Sequence, residues 1–286
     1  MRVAIIGNND ATSDIIFHDL LLSNEVDVVF VGHSTRMYGG LASSAKYTLK
    51  LLSKTTLSYL SFLVLFNIGL KIRDAVACRR KQGAAGASLA RLARWRGIPY
   101  LPIPDCNSAE FLELLSQNRV DLMLVRIPQI LKPDVFNAAT YGAWCLHSSL
   151  LPSYGGYCAE FHAMRNGESH IGSTLFRIDE SIDGGPPIAQ CHLPVRTRES
   201  LLAHVLANNT LAGRMVRDAV EELARSGQVE PKLHQPRPQA SYFRWPNAEQ
   251  EREFRRRGFR LFGWRDTVRF LAWCVGLSSA PCARAR

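Results

Sequence analysis

The chain has 286 residues, 47% of them hydrophobic, and a formal net charge of +10. That apolar share excludes a disordered chain, and the length suits one large domain or one domain with an appendage. The basic balance favours anionic partners (phosphates, nucleotides, nucleic acid or an acidic membrane face) without choosing among them.

The seven cysteines follow no CxxC or other regular spacing. This argues against a disulfide framework and against a zinc ribbon, so no metal site is expected. It fits a reducing, cytoplasmic setting. The opening "MRVAIIGNND" has a single charge and too short an apolar run for a signal peptide.

In chain order, "RVAIIG" reads as a buried strand ending in a Gly/Asn turn. "TSDIIFHDLLLS" follows with helical periodicity and a Thr/Ser start. "VDVVFVGHS" is a second apolar strand. A β-α-β opening of this kind calls for a parallel sheet with right-handed crossovers. "IIGNND" lacks the GxGxxG spacing, so a dinucleotide fingerprint is not supported.

Residues 36–86 break the alternation and are too long for an ordinary connection, so they read as a helical insertion. Within it, "LSYLSFLVLFNIGLKI" (Leu57 to Ile72) carries no charge before Lys71. A bilayer span needs roughly 20 apolar residues, and Asn67 and Gly69 dilute this one. It reads as a buried or partner-packed helix. The alternative is a helix on a membrane face or lining a site for a lipid-like substrate.

Alternation resumes with "SLARLARWRG" (helix), "IPYLPI" (strand), "SAEFLELLSQN" (helix) and "VDLMLVRI" (strand). "KPDVFNAA" is a short helix and "GAWCLH" a further strand. "YCAEFHAMRN" is helical, and "IGSTLFRI" and "PPIAQCHLPV" are strands around the turn "DESIDGG". A long helix covers about Ser200 to Ser226, and "QPRPQASYFRWP" is a Pro-rich linker. From Asn247 to about Val275 the pattern is basic and helical, with seven arginines between Arg252 and Arg269. Packing, a nucleotide-linked substrate, a second subunit and an anionic membrane are all uses open to that stretch.

His147 stands just past an apolar strand, where open α/β sheets place their ligands. Asp183 stands in the glycine turn "IDGGP". Alone, the first could be a core histidine and the second a turn former. Together, a carboxylate near a histidine raises its pKa and holds its tautomer, which makes an acid–base pair suited to acyl transfer.

"LHSSLLPSYGG" followed by "IDESIDGGPPIAQCHLPV" resembles the folate-dependent formyltransferase family. That family includes glycinamide ribonucleotide transformylase, methionyl-tRNA formyltransferase and the sugar N-formyltransferases. The resemblance covers about residues 1–34 and 87–225. It implies a Rossmann-like α/β fold with a mostly parallel sheet and a formyl group moved from 10-formyltetrahydrofolate to an amine. His147 matches the histidine that stabilises the tetrahedral intermediate and moves protons, and Asp183 matches the aspartate that orients it. Gln129, Ile130 and Leu131 would line the pterin pocket. The turn holding Asp179, Ile182 and Gly184 would form its other wall. Ser149 matches a loop serine with a structural role.

Cys145 stands where the family motif has an asparagine whose amide helps hold the formyl oxygen. A thiol is a weaker donor. Another donor could take over, the transferred group could differ, or the chain could have become a binding protein. Cys145 could also act as a nucleophile beside His147.

These readings give residues 1–230 as a formyltransferase-like domain and 231–286 as a linker with a basic helical extension. The helical tail differs from the C-terminal β-barrel of methionyl-tRNA formyltransferases. A small-molecule amine is therefore the expected acceptor, such as an amino sugar or a specialised-metabolite precursor. No nucleic-acid partner is expected, while a homodimer and a peripheral membrane contact stay open. The alternative is an altered or degenerate member that binds folate or nucleotide, or transfers a different group.

Overall fold

A computed structural model describes residues 1–8, 10–35, 51, 53–79, 88–229 and 240–275. Parts of the expected insertion (36–50, 52 and 80–86), residues 235–239 of the Pro-rich linker and the chain beyond residue 275 lie outside these residues.

Seven strands form one sheet in the order β3-β2-β1-β4-β5-β7-β8. They are β1 (Arg2–Asn8), β2 (Asp27–Ser34), β3 (Tyr100–Ile103), β4 (Leu122–Arg126), β5 (Ala143–His147), β7 (His170–Arg177) and β8 (Pro187–Pro194). The first five in the spatial order are parallel, and β7 runs antiparallel to both of its neighbours, β5 and β8. The mostly parallel α/β sheet expected from the sequence is present.

Successive strand residues face opposite sides, so each central strand feeds two cores. Val3, Ile5, Leu122, Leu124, Trp144 and Leu146 join one cluster. Helices α1 (Ala11–Ile16), α2 (His18–Leu22), α4 (Leu89–Trp95) and α8 (Leu201–Ser226) cover it. Ala4, Ile6, Met123, Val125 and Ala143 join the other. There they meet α5 (Ala109–Gln117) and α6 (Pro133–Phe136).

A third cluster stands apart from both. It joins α3 (Leu57–Arg79), α7 (Ala159–Asn166), the start of α8, α9 (Ala248–Arg256) and α10 (Trp264–Cys274). Phe66 stacks on Phe270 and Phe161 on Phe254. At Gly69 a Cβ would lie 2.4 Å from the Phe270 ring, so only glycine lets α3 and α10 approach this closely. No described helix is long and apolar enough to cross a membrane.

Three local details differ from the sequence reading. The first helix is divided at Phe17 into α1 and α2. The basic tail forms two helices rather than one, with Gly258 at φ 86° just after α9. The described end of the Pro-rich segment is built into the fold: β9 (Tyr242–Phe243) pairs in parallel with β6 (Gly155–Gly156).

Candidate active site

Alternation along β5 sets Trp144 and Leu146 in the core and turns Cys145 and His147, both partly exposed, to the other face. The polypeptide then enters the loop "SSLLPSYGG". Thr174, paired directly with His147 across β5 and β7, ties that loop down. Its Oγ1 donates to the Ser149 carbonyl at 2.7 Å and accepts from the Leu151 N–H and the Gln190 amide, each at 3.0 Å. One donor and two lone pairs are thereby used in full. The Ser149 hydroxyl is buried without a partner.

The loop returns at Tyr154, whose carbonyl lies 3.3 Å from His147 Nε2. A carbonyl only accepts, so Nε2 carries the proton and Nδ1 has the lone pair in the neutral ring. Tyr154 takes a left-handed backbone, with φ at 62°. The C-terminal segment holds it there. The Tyr154 N–H donates to Ser241 Oγ at 2.9 Å, Gly155 N–H to the Ser241 carbonyl at 2.8 Å, and Tyr157 N–H to the Phe243 carbonyl at 3.0 Å. Tyr154 also stacks on Phe243, with ring centroids 5.2 Å apart.

Asp183 arrives from the β7–β8 turn. That turn starts beside Ala143, where Ile178 N–H donates to the Ala143 carbonyl at 2.8 Å, and folds back to the loop. An Asp183 carboxylate oxygen lies 3.8 Å from where a Cβ on Gly155 would sit. Asp183 itself has φ at 52°, in the left-handed region. The turn is braced by Asp179, which accepts from the Ser181 N–H at 2.8 Å and from the Ser181 hydroxyl. Those bonds hold the Asp179 carboxyl below its usual range.

Burial pushes the His147 imidazole below its ordinary pKa, against the opposing pull of the Asp183 carboxylate and the Tyr154 carbonyl. Burial, with Asp183 adding to it, pushes the Cys145 thiol up to about 12. Cys145 is therefore a protonated thiol near neutral pH.

His147, Cys145 and Asp183 thus come together. Gln129, Ile130 and Leu131 follow β4, the strand beside β5. The Gln129 side chain is engaged elsewhere, accepting from the Cys106 N–H at 3.0 Å and donating to Ser34 Oγ at 3.1 Å. Ile130 is 72% exposed, while Leu131 is buried in the core. In the facing turn Ile182 is 68% exposed, and a Cβ on Gly184 would press on Ser181 Oγ at 2.7 Å.

Two residues that sequence reasoning missed stand near the pair. Arg126, at the end of β4, makes a 3.2 Å ion pair with Asp10 and lies 3.3 Å from Ser13 Oγ. Its positive charge acts on both His147 and Cys145, lowering their pKa values. Both Asp10 and Arg126 sit where parallel strands end, which is the one signal that could have found them. Among the described residues no group of side chains is arranged to hold a metal ion.

Residues 86–210 match the formyl transferase family model. Methionyl-tRNA formyltransferase from Chlorobium phaeovibrioides is 34% identical over 124 residues, which is 43% of this chain and 39% of that protein. Its counterpart from Chlorobium chlorochromatii is 29% identical over 147 residues, 51% of this chain and 47% of that one. The chain thus spans less than half the length of these curated relatives. Among solved structures, phosphoribosylglycinamide formyltransferase from Bacillus halodurans superposes with a TM-score of 0.54 at 16% identity, covering 80% of this chain and 97% of that one. A sugar N-formyltransferase from a Shewanella species gives 0.52 at 13%, covering 87% and 77%. At such identities the structures speak for the fold alone. Residues 86–210 of this chain are thus similar to the formyl transferase family, and the described fold is that of the solved formyltransferases.

Proposed function

We propose that the chain transfers a formyl group from 10-formyltetrahydrofolate to a primary amine on a small molecule, such as an amino sugar or a specialised-metabolite precursor. The supporting observation is His147: neutral, with Nε2–H fixed on the Tyr154 carbonyl and Asp183 acting on the ring.

The two loops beside this pair carry apolar side chains of the kind that would face a flat, partly apolar group. Ile127 and Ile178, at the roots of the two loops, pack against the same core cluster, and each loop exposes a further isoleucine, Ile130 and Ile182. Ile130, Ile182 and the backbone around Gln129 and Gly184 would hold the pterin. When bound, 10-formyltetrahydrofolate supplies the activated formyl group.

His147 Nδ1 takes the proton that the attacking amine sheds, and Asp183 stabilises the imidazolium this creates. Oxyanion stabilisation is ordinarily the largest contribution, and one lost donor costs roughly 100- to 1000-fold. With Cys145 in place of the asparagine, we assign charge stabilisation to Arg126, whose field reaches both Cys145 and His147. A thiol pushed up to about 12 weighs against Cys145 as a nucleophile.

Cys145 also favours a second reading, a member that binds folate or nucleotide without turnover, or transfers a different group. Incubation with 10-formyltetrahydrofolate and a panel of amines separates them. Release of tetrahydrofolate with one amine supports transfer. Folate binding without release from any amine supports the second reading.

A further inference from the structure

Helices α3 and α10 pack against each other through Gly69, Phe66, Phe270 and Cys274, and both bury one face in the same cluster. The faces turned away from that cluster carry exposed apolar residues among polar ones. On α3, Leu57 is 75% exposed, and Val64, Ile68 and Ile72 continue the stripe. On α10, Trp264 is 77% exposed, with Val268 and Leu271 at helical spacing behind it. Large apolar residues grouped on two adjacent helices mark an interaction surface.

The rim of this surface is basic. Lys71 on α3 and Arg265 and Arg269 on α10 are exposed beside the apolar residues. Arg255, Arg256, Arg257 and Arg260, just before α10, are exposed as well. The local acids are engaged inward: Asp266 accepts from the Ser200 N–H at 2.8 Å, and Asp74 is paired with Arg91 at 2.9 Å. Glu251 is buried and paired with Arg255. Glu249 and Glu253 lie farther back on α9.

We propose that this paired-helix face docks on an anionic lipid bilayer. Trp264, Val268, Leu271, Ile68 and Ile72 enter the headgroup boundary, and Lys71, Arg265 and Arg269 meet the lipid phosphates. A second copy fits less well. A two-fold interface would set these cations against the same cations of the other copy, while an anionic surface complements them and the chain's charge of +10. Docking of this kind is interfacial and independent of the group the site transfers. Trp and Arg together are suited to such a boundary because the ring has an apolar body with a polar tip.

The test is co-sedimentation of the full chain with vesicles of phosphatidylcholine alone and of phosphatidylcholine mixed with phosphatidylglycerol. Binding is expected to the mixed vesicles and to weaken as salt rises. Replacing Arg265 and Arg269 by Gln should lower the partition about 30-fold. Trp264→Ala with Val268→Ser should lower it at least about 10-fold, leaving the circular dichroism unchanged. Equal binding to both vesicle types, no binding, or binding indifferent to these variants overturns the proposal. So does a concentration-dependent dimer that the same variants break while vesicles are ignored, which would assign the face to a second copy.

Discussion

The sheet and the aromatic cluster beside it are built in contrasting ways. The sheet builds its cores on hydrogen-bonded strands, with helices from Ile16 to Leu223 laid on its two faces. The cluster draws α3 from one end of the chain and α9 and α10 from the other, and closes them over α7. The candidate site lies between the two. His147 belongs to the sheet, but the carbonyl that fixes its tautomer belongs to a loop gripped by Ser241 and Phe243. A rigid strand supplies the proposed base, and a remote segment sets which of its nitrogens is free.

The largest expected effect is on the sheet side. His147→Ala should cost about 100- to 10,000-fold in turnover with the fold intact, checked by tetrahydrofolate release and circular dichroism. Turnover that survives would remove His147 from the chemistry.

The next tests the grip. Gly156 has φ at 87°, and a Cβ there would lie 2.3 Å from the Phe243 carbonyl oxygen. Gly156→Ala should therefore part β6 from β9, costing ~2 kcal/mol. A fall in melting temperature of roughly 4–8 °C, together with reduced turnover, is the expected pair of readouts. A lower melting temperature with unchanged turnover would show that the cluster merely adjoins the site.

Thr174→Val attacks the sheet's own hold on the loop. It strands the Leu151 N–H and the Ser149 carbonyl, for a loss of about 1–3 kcal/mol in urea unfolding. An unchanged midpoint would show that water or a shifted loop replaces those bonds.

The smallest effect is a gain, where α1 meets the end of the insertion. Asp14 accepts from the Leu89 N–H at 2.8 Å, yet burial raises its pKa from 3.8 to about 7, with the charges of Asp10 and Asp74 adding to the shift. A carboxyl raised on folding is unpenalised below its unfolded value, and the penalty grows until pH passes the folded one. Asp14→Asn keeps an acceptor and removes the charge. It should raise the melting temperature by about 2–4 °C at pH 8 and leave it unchanged near pH 4. A gain equal at both pH values would point to packing instead of charge.

Legibility in the sequence follows the same division. The sheet strands were readable because apolar runs such as "RVAIIG" and "VDLMLVRI" satisfy both faces of a buried sheet. His147, Cys145 and Asp183 were readable because a motif carries them. The β6–β9 pairing was not, since two glycines and the end of a Pro-rich stretch carry no strand periodicity. The Arg126–Asp10 pair was hidden because its partners lie far apart in sequence and meet only when β1 and β4 pair. The partnership of α3 with α10 was equally non-local, for the small size of Gly69 has meaning only once Phe270 is in place.

An NMR titration of the His147 ring needs no knowledge of the acceptor amine. The structure predicts a ring that titrates below the ordinary histidine range, with its neutral form protonated at Nε2, and a further fall in Asp183→Asn once the carboxylate's upward pull is gone. A ring that titrates above the ordinary range, or whose neutral form carries its proton on Nδ1, would contradict the assignment of His147 as the base.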